Sequence, residues 1–464
     1  MGHRLPFSRL CRQSLKTHGS FVDRLVVFLS LVVISSATTF GHSHAPTVSQ
    51  QPKTLATQTF NQTHEGEVGL DIEARSPEAS WAQKGSEAAS ILIAVDGKYN
   101  QDLLLWAGDE FFHYRVMLGR IGRGSHTISL SLNPKRSAAG AKHAEIKSAQ
   151  PLFFGNASSE DRIALAQSPI LFARANSIDH FTDVPLLMYY EILPDSSADL
   201  SVRYTTIFTN EDGGTQTAAL MARWGRATDI EWVYQFRMRN GKVIEETYQG
   251  VQHETKDFTG ARSGGNHPLL AVASDNNNFS DLAASAVRFA PLPIRARLEN
   301  ATRESVMDPY PQTYRVMSEE LVREGRISET PADINTIVDP RQYLYIEAVS
   351  DQVNTTIAFD VKLSGQETPF ASDMGDPRLR IERSGYFRTA VRLPKRVSSS
   401  DMETITAICY AGPKPATERY CKNLKVIRVL KLDDRYLPRD LQILSQPKVT
   451  LAAGETKSFR IFPP

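Results

Sequence analysis

The stretch ARWGRATDIEWVYQFRMRNGKVIEETYQG (residues 222–250) sets two carboxylates, Asp229 and Glu231, two positions apart ahead of an aromatic alternation. Residues two apart on a β-strand share a face, so both carboxylates would project into the same space. Two kinds of chemistry use such a pair. Hard cations such as Ca²⁺ or Mg²⁺ take carboxylate and carbonyl oxygens, and glycosidases need two carboxyl groups roughly 5 to 10 Å apart across a cleft. A strand edge with solvated charges has the same pattern and no site at all.

Strict alternation places Trp232, Tyr234, Phe236 and Met238 on one face, and Asp229, Glu231, Val233, Gln235, Arg237 and Arg239 on the other. Asn240-Gly241 tolerates the positive φ angles of a two-residue type I′ turn, so the chain should reverse there and resume as KVIEETYQ. Counting back from that turn pairs Arg239 with Lys242, Val233 with Tyr248 and Glu231 with Gly250. A glycine opposite Glu231 would leave room for a ligand or an ion. The same register puts His253 on the face opposite Asp229, so it joins the pair only through a bulge near Gly250. The loops nearby supply further oxygen donors: Glu211, Asp212, Asp275, Asn276, Asn277, Asn278 and Asp281. The candidate metal set is Asp229, Glu231, Asp212 and Asp275. The candidate ligand-binding set is Trp224, Asp229, Glu231, His253 and His267.

The elements that would hold these residues are strands. Short runs such as ILIAVDGKY, YRVMLGRI, HTISLSL, PLLMYYEIL, YLYIEAV and TTIAFDVKL alternate or run apolar between Gly, Asp and Pro breaks, which predicts an all-β protein of two or three antiparallel β-sandwich units with few helices. One helix is expected within ESVMDPYPQTYRVMSEELVREG. The units are read as a β-rich module over 88–150, a central sandwich over 151–330 and a C-terminal sandwich over 331–464. Trp232 is expected in the core, whereas Trp106 and Trp224 stand in less regular surroundings and are the better candidates for stacking on sugar rings. His126 is expected to cap a strand.

With 464 residues, 41% hydrophobic and 23% charged, the chain has a globular balance. Its formal net charge of +1 gives no broad field to attract nucleic acid. Basic residues precede the apolar run LVVFLSLVVI, and Ser35, Ser36 and Ala37 follow it. This is the form of a secretory signal peptide over 1–37, cleaved near Ala37; an uncleaved membrane anchor is the alternative. Residues 38–87 read as a flexible linker. After the leader only Cys409 and Cys421 remain, and in an exported protein this pair is expected to form a disulfide closing a hairpin.

WGRATDIEWVYQF is similar to the Gly-His-Arg-His-Asp-Trp-Glu heptad of necrosis-inducing toxin-like proteins and to the Gly-Asp-Trp-Glu strand of the vacuolar-sorting-associated family. Gly225, Asp229 and Glu231 match in order and spacing, while Arg226 and Thr228 replace the histidines. YTTIFTNEDGG and NHPLLAVASDNNNFSD resemble flanking segments of the same families. That resemblance implies a β-sandwich whose acidic positions serve a divalent-cation site engaging glycosylated lipid head groups. Residues 119–133, GRIGRGSHTISLSLN, resemble the strand ending of carbohydrate-binding jelly-roll modules.

Three functions follow as expectations: a secreted or cell-surface module binding a glycan or lipid head group with Ca²⁺ or Mg²⁺, in contact with a membrane or cell surface; a carboxylate- or metal-dependent hydrolase of extracellular glycans; and a structural or interaction protein with no small-molecule site. No nucleophile elbow, His-Glu-x-x-His helix or phosphate-cradling glycine loop occurs in the sequence.

Overall fold

A computed structural model of the chain describes residues 52–174, 181–182, 184–194, 199–210, 213–282, 284–460 and 462. The leader over 1–37 lies outside the described residues. Three mainly antiparallel sandwiches follow one another, as the alternating patterns predict, with parallel strand pairs only in the central one among the described residues: His267–Val272 with Ile170–Phe172, and Ile294–Arg295 with Pro185–Leu193.

The first sandwich packs a four-stranded sheet, in the order Lys53–Gln62, Gly124–Leu132, Ser90–Val95, Lys98–Leu104, on a three-stranded sheet, in the order Phe112–Ile121, Gly66–Arg75, Glu145–Phe153. Inward positions at period two, Val68, Leu70, Ile72 and Ala74, meet Ile91, Ile93, Ile128 and Leu130 in its core. The expected linker over 38–87 is therefore corrected for most of its length. Lys53–Gln62 and Gly66–Arg75 are strands of this sandwich, and Trp81 and Ala88 are buried in its core. The Thr- and Gln-rich first strand lies at a sheet edge with an outward face in water, so its few buried side chains gave no strong apolar period.

The central sandwich carries the candidate site. Its larger sheet runs in the order Thr255–Asp257, Lys242–Gln249, Thr228–Arg239, Leu200–Asn210, Pro185–Leu193, Ile294–Arg295. Facing it are Arg262–Ser263, His267–Val272, Ile170–Phe172 and Arg288–Phe289, with Phe279–Ser280 paired to His267–Val272. Between them lie Met188, Tyr190, Val202, Tyr204, Phe208, Tyr234, Phe236, Leu270, Val272 and Phe279. The outer face of the larger sheet is covered by the helix Gln312–Arg323, whose Met317 and Leu321 share a core with Leu187, Ile207 and Ile230. Two shorter helices, Ser159–Ala166 and Thr217–Trp224, are too brief to show a helical period in sequence.

The C-terminal sandwich joins the sheet Gly385–Arg392, Tyr343–Val353, Tyr420–Leu432, Pro438–Asp440 to the sheet Phe370–Ala371, Thr355–Leu363, Met402–Ala411, Thr456–Phe459. Cys409 and Cys421 are disulfide-bonded. They stand on strands of the two different sheets, so the bond crosses the sandwich core and does not close a hairpin.

Candidate functional site

The approach to Asp229 is set by the end of the helix Thr217–Trp224. Gly225 adopts φ +59°, and a Cβ there would lie 2.8 Å from Arg388 Cγ, so both the left-handed turn and the close approach require glycine. Arg226 follows, buried, with Nε 3.3 Å from Glu304 Oε1 and Nη1 donating to the carbonyl of Thr228.

The strand Thr228–Arg239 then departs from strict alternation. Tyr234 pairs with Tyr204 but Trp232 with Thr205, which leaves Val233 as the extra residue of a bulge. The bulge exchanges the faces, and Val233, Tyr234 and Phe236 all enter the inner core. Trp232 is consequently not a core residue beside Tyr234. It is half-buried on the other face, 5.6 Å from the Arg203 guanidinium. Glu231 shares a cross-strand row with Thr206 and Met188, and Met188 is buried in the inner core. Both carboxylates thus point between the sheets, where sequence alternation had placed them opposite the aromatics.

The hairpin turn is as expected: Asn240 and Gly241 have φ of +49° and +74°, and Arg239 pairs with Lys242. A register shift between Arg237 and Met238 then brings Tyr248 opposite Tyr234, not Val233. Nor does Gly250 open space above Glu231. A Cβ on it would meet Lys256 Cδ at 2.7 Å, so the lysine stem already fills the position.

What stands beside Glu231 is Gln249, whose Nε2 lies 2.5 Å from Glu231 Oε2 and 2.5 Å from His253 Nδ1. After Gly250 the chain makes a single 3₁₀ turn, Val251–His253, with φ +64° at Gln252 and +59° at His253. That turn, not a bulge, carries His253 to within 3.7 Å of Glu231. The 274–278 loop closes the other side. Asn277 Nδ2 donates to Asp229 Oδ2 at 2.8 Å, and the Asn276 amide lies 2.8 Å from His253 Nε2.

Burial dominates the electrostatics. Asp229 is 2% exposed, and its pKa is raised by desolvation, against the opposing pull of Arg226 and the Asn277 hydrogen bond. Glu231 is pushed up to about 8, first by burial and then by the charge of Asp229. Three buried oxygens in this region, Thr206 Oγ1, Gln249 Oε1 and Asn277 Oδ1, have no hydrogen-bond partner among the described residues. Buried polar atoms are normally satisfied, so three orphans beside two desolvated carboxylates mark an incomplete site. Among the described residues no group of three or more His, Cys, Asp and Glu converges as a metal set. A cation here would rest on two carboxylates and neutral oxygens.

Glu231 keeps its proton in the folded protein up to about pH 8, whereas it loses it near 4.5 when unfolded. Between those values the unfolded state binds fewer protons, so this contribution to stability is fully present below 4.5 and is lost as pH rises towards 8. Melting in chelator should occur at a higher temperature at pH 5.5 than at pH 8, and Glu231→Gln should flatten the difference. An unchanged pH slope in the variant would refute this.

The remaining candidates lie elsewhere. Asp212 and Glu211 are outside the described residues. Asp275 is exposed, its carboxylate paired with Arg174 and its carbonyl accepting from Gly213 N at 3.0 Å. Asp281 accepts from Thr259 N at 2.8 Å and from Tyr248 OH at 3.1 Å. His267 is fully buried, with Nδ1 2.8 Å from the Ser168 carbonyl and Nε2 2.9 Å from Glu67, so it ties the central sandwich to the first one. Trp224 is half-buried between the guanidinium groups of Arg223 and Arg383, at 4.6 and 5.4 Å. Trp106 is a core residue against Phe112 and Tyr114, which corrects its reading as a stacking candidate. His126 braces a turn, 2.7 Å from Asp96 and 3.0 Å from the Gly122 carbonyl.

Two participants escaped the sequence reading. Thr206 had a signal, since it shares parity with Val202, Tyr204 and Phe208 and is the polar member of that row. Gln249 had none, because its place depends on the register shift.

No protein-family model and no curated protein matches the chain, so the likeness of WGRATDIEWVYQF to the toxin-like heptad rests on its residues alone. Solved structures similar to it include a sugar-binding protein described as the EclA C-terminal domain, at 15% identity and TM-score 0.17, covering 22% of this chain and 68% of that one. A ruminal GH26 endo-β-1,4-mannanase matches at 16% identity and TM-score 0.16 over 26% of this chain and 27% of that one. The tandem CBM51 modules of a family 98 glycoside hydrolase from Streptococcus pneumoniae match at 10% identity and TM-score 0.15 over 77% of each chain. Likenesses of this degree carry no functional argument.

Proposed function

We propose that the protein is an exported or cell-surface binding module that engages a polyhydroxylated ligand, a glycan or a glycosylated lipid head group, through a divalent cation held at Asp229 and Glu231. The observation that carries this reading is the set of unpartnered oxygens around two desolvated carboxylates. A half-turn of the Asn277 or Gln249 amide would set its oxygen where its nitrogen now lies, 2.8 Å from Asp229 or 2.5 Å from Glu231. Oxygens so close are held together only by a proton or a cation between them. An irregular set of carboxylate, amide and hydroxyl oxygens suits Ca²⁺, which takes about six to eight ligands in adaptable geometry, better than Mg²⁺. His253, with its side chain 51% exposed, lies at the outer edge of the cluster. A ligand hydroxyl entering on that side would complete the shell.

Calorimetric titration of the chelated protein with CaCl₂ tests the reading. The wild type should bind one ion, and the Asp229→Asn, Glu231→Gln double variant should bind at least about 100-fold more weakly. Its metal-free melting temperature should stay level or rise, because two desolvated acids have been neutralised. Failure of the wild type to bind Ca²⁺ or Mg²⁺ would sink the reading.

A hydrolase is the second reading, favoured by the proton that Glu231 retains near neutral pH. The burial of Asp229 weighs against it, since a partner carboxylate must reach the glycosidic carbon or a water beside it.

A further inference from the structure

A cleft opens at one end of the first sandwich. It lies at the turn joining Lys53–Gln62 to Gly66–Arg75, with Phe153, Phe154 and the helix Ser159–Ala166 opposite, and its volume is about 570 Å³. That is the size of a small-ligand site.

Two of its walls are unusual. Phe153 is 53% exposed, its ring 6.0 Å from that of Phe60, so one aromatic face is offered to the cleft with a second ring behind it. Gln62 is the reverse. It is 8% exposed and its side-chain amide makes no hydrogen bond among the described residues. The amide lies beside Gly66, with Nε2 3.7 Å from where a Cβ on that glycine would sit, and both residues line the cleft. The amide is thus open to the cleft, with both its donor and its acceptor available to a ligand. A ligand bearing both a hydroxyl donor and a hydroxyl acceptor can engage both ends of it.

The rim decides the ligand's charge. Glu65, bound by Arg120 at 2.7 Å, and Glu67, bound by His267, stand on one side and Arg162 on the other. With both signs present, no net field favours an anion or a cation. An aromatic face takes the C–H face of a ring, and a planar amide takes two adjacent hydroxyls.

We infer that this cleft is a cation-independent subsite for a neutral sugar ring, which stacks on Phe153 and hydrogen-bonds the Gln62 amide. It is independent of the Asp229–Glu231 site, on a different sandwich and of different chemistry.

The test is titration of the whole protein in EDTA with cellotetraose, mannotetraose and xylotetraose, followed by calorimetry. Binding of at least one of them is expected, with a loss of about tenfold or more in Phe153→Ala and in Gln62→Leu, and retention in Phe153→Trp. Phe153 is exposed, so its variants should melt with the wild type and remain informative even if Gln62→Leu folds poorly. The Asp229→Asn, Glu231→Gln variant should bind these sugars as the wild type does. Binding of none of the three would overturn the inference, as would binding unaffected by Phe153→Ala. Binding lost in EDTA or in the double carboxylate variant would overturn it too, and would assign the sugar to the cation site.

Discussion

Arg388→Met should lower the stability of the protein by up to about 3–5 kcal/mol, the loss expected when one member of a buried ion pair is removed. Arg428, 3.6 Å from Glu347, and the Thr302 hydroxyl compensate the remaining carboxylate in part. Arg388 stands on the strand Gly385–Arg392 of the C-terminal sandwich and is fully buried where that strand meets the helix Gln312–Arg323. Its Nη2 and Nε donate to Glu347 Oε1 at 2.6 and 2.9 Å, and its Nη1 to the Tyr314 hydroxyl at 2.6 Å. Asp308 is 3.4 Å away and is also held by Arg428. Methionine fills similar volume but leaves Glu347, 4% exposed, without that partner. Denaturant unfolding of Arg388→Met, Glu347→Leu and the double variant would measure this. The double variant should recover part of the loss, because the pair is then removed together. A loss below about 1 kcal/mol in the single variant would show that the pair is not desolvated as described.

The effect should reach the candidate site. Arg388 presses on Gly225, Thr389 Oγ1 donates to the Ala222 carbonyl at 2.5 Å, and Arg383 donates to the Arg223 carbonyl at 2.6 Å. The helix end that launches Arg226 and Asp229 is thus held from the C-terminal sandwich. Gly225, matched to a binding-family heptad by sequence, has a packing reason of its own.

The all-β class, the Asn240-Gly241 hairpin and the helix near 312–323 were legible because each rests on local chemistry: period-two burial, a pair that accepts positive φ, and a long amphipathic run. The pairing of Asp229 with Glu231 on one face was legible for the same reason. The aromatic face assignment and the Glu231–Gly250 pairing were not, since single-residue bulges at Val233 and before Met238 shift register without any mark in the sequence. His253 reaches Glu231 through two consecutive positive-φ residues, neither of them glycine. Trp106 was misjudged because its burial depends on Phe112 and Tyr114 of a different strand, a contact set by sheet pairing and invisible in local pattern.

The disulfide carries the other large effect. Cys409 and Cys421 are fully buried and join opposite sheets, twelve residues apart in sequence. Replacing both by alanine should cost about 3 kcal/mol from the freed chain of the unfolded state, in the loop-entropy account. Two missing sulfurs in a close-packed core, among Ile357, Phe359 and Leu424, would add to it. The loss should fall on the C-terminal sandwich, whose two faces the bond fastens, so its strands should exchange amide hydrogens faster than those of the first sandwich. Denaturant unfolding with and without reductant, alongside hydrogen exchange of the variant, checks both statements. Alkylation of both thiols in denaturant without reductant would refute the bond itself. Equal acceleration of exchange in all three sandwiches would instead show that they unfold as one unit, with Arg388 and its carboxylates coupling the C-terminal sandwich to the central one and His267 with Glu67 coupling the central one to the first.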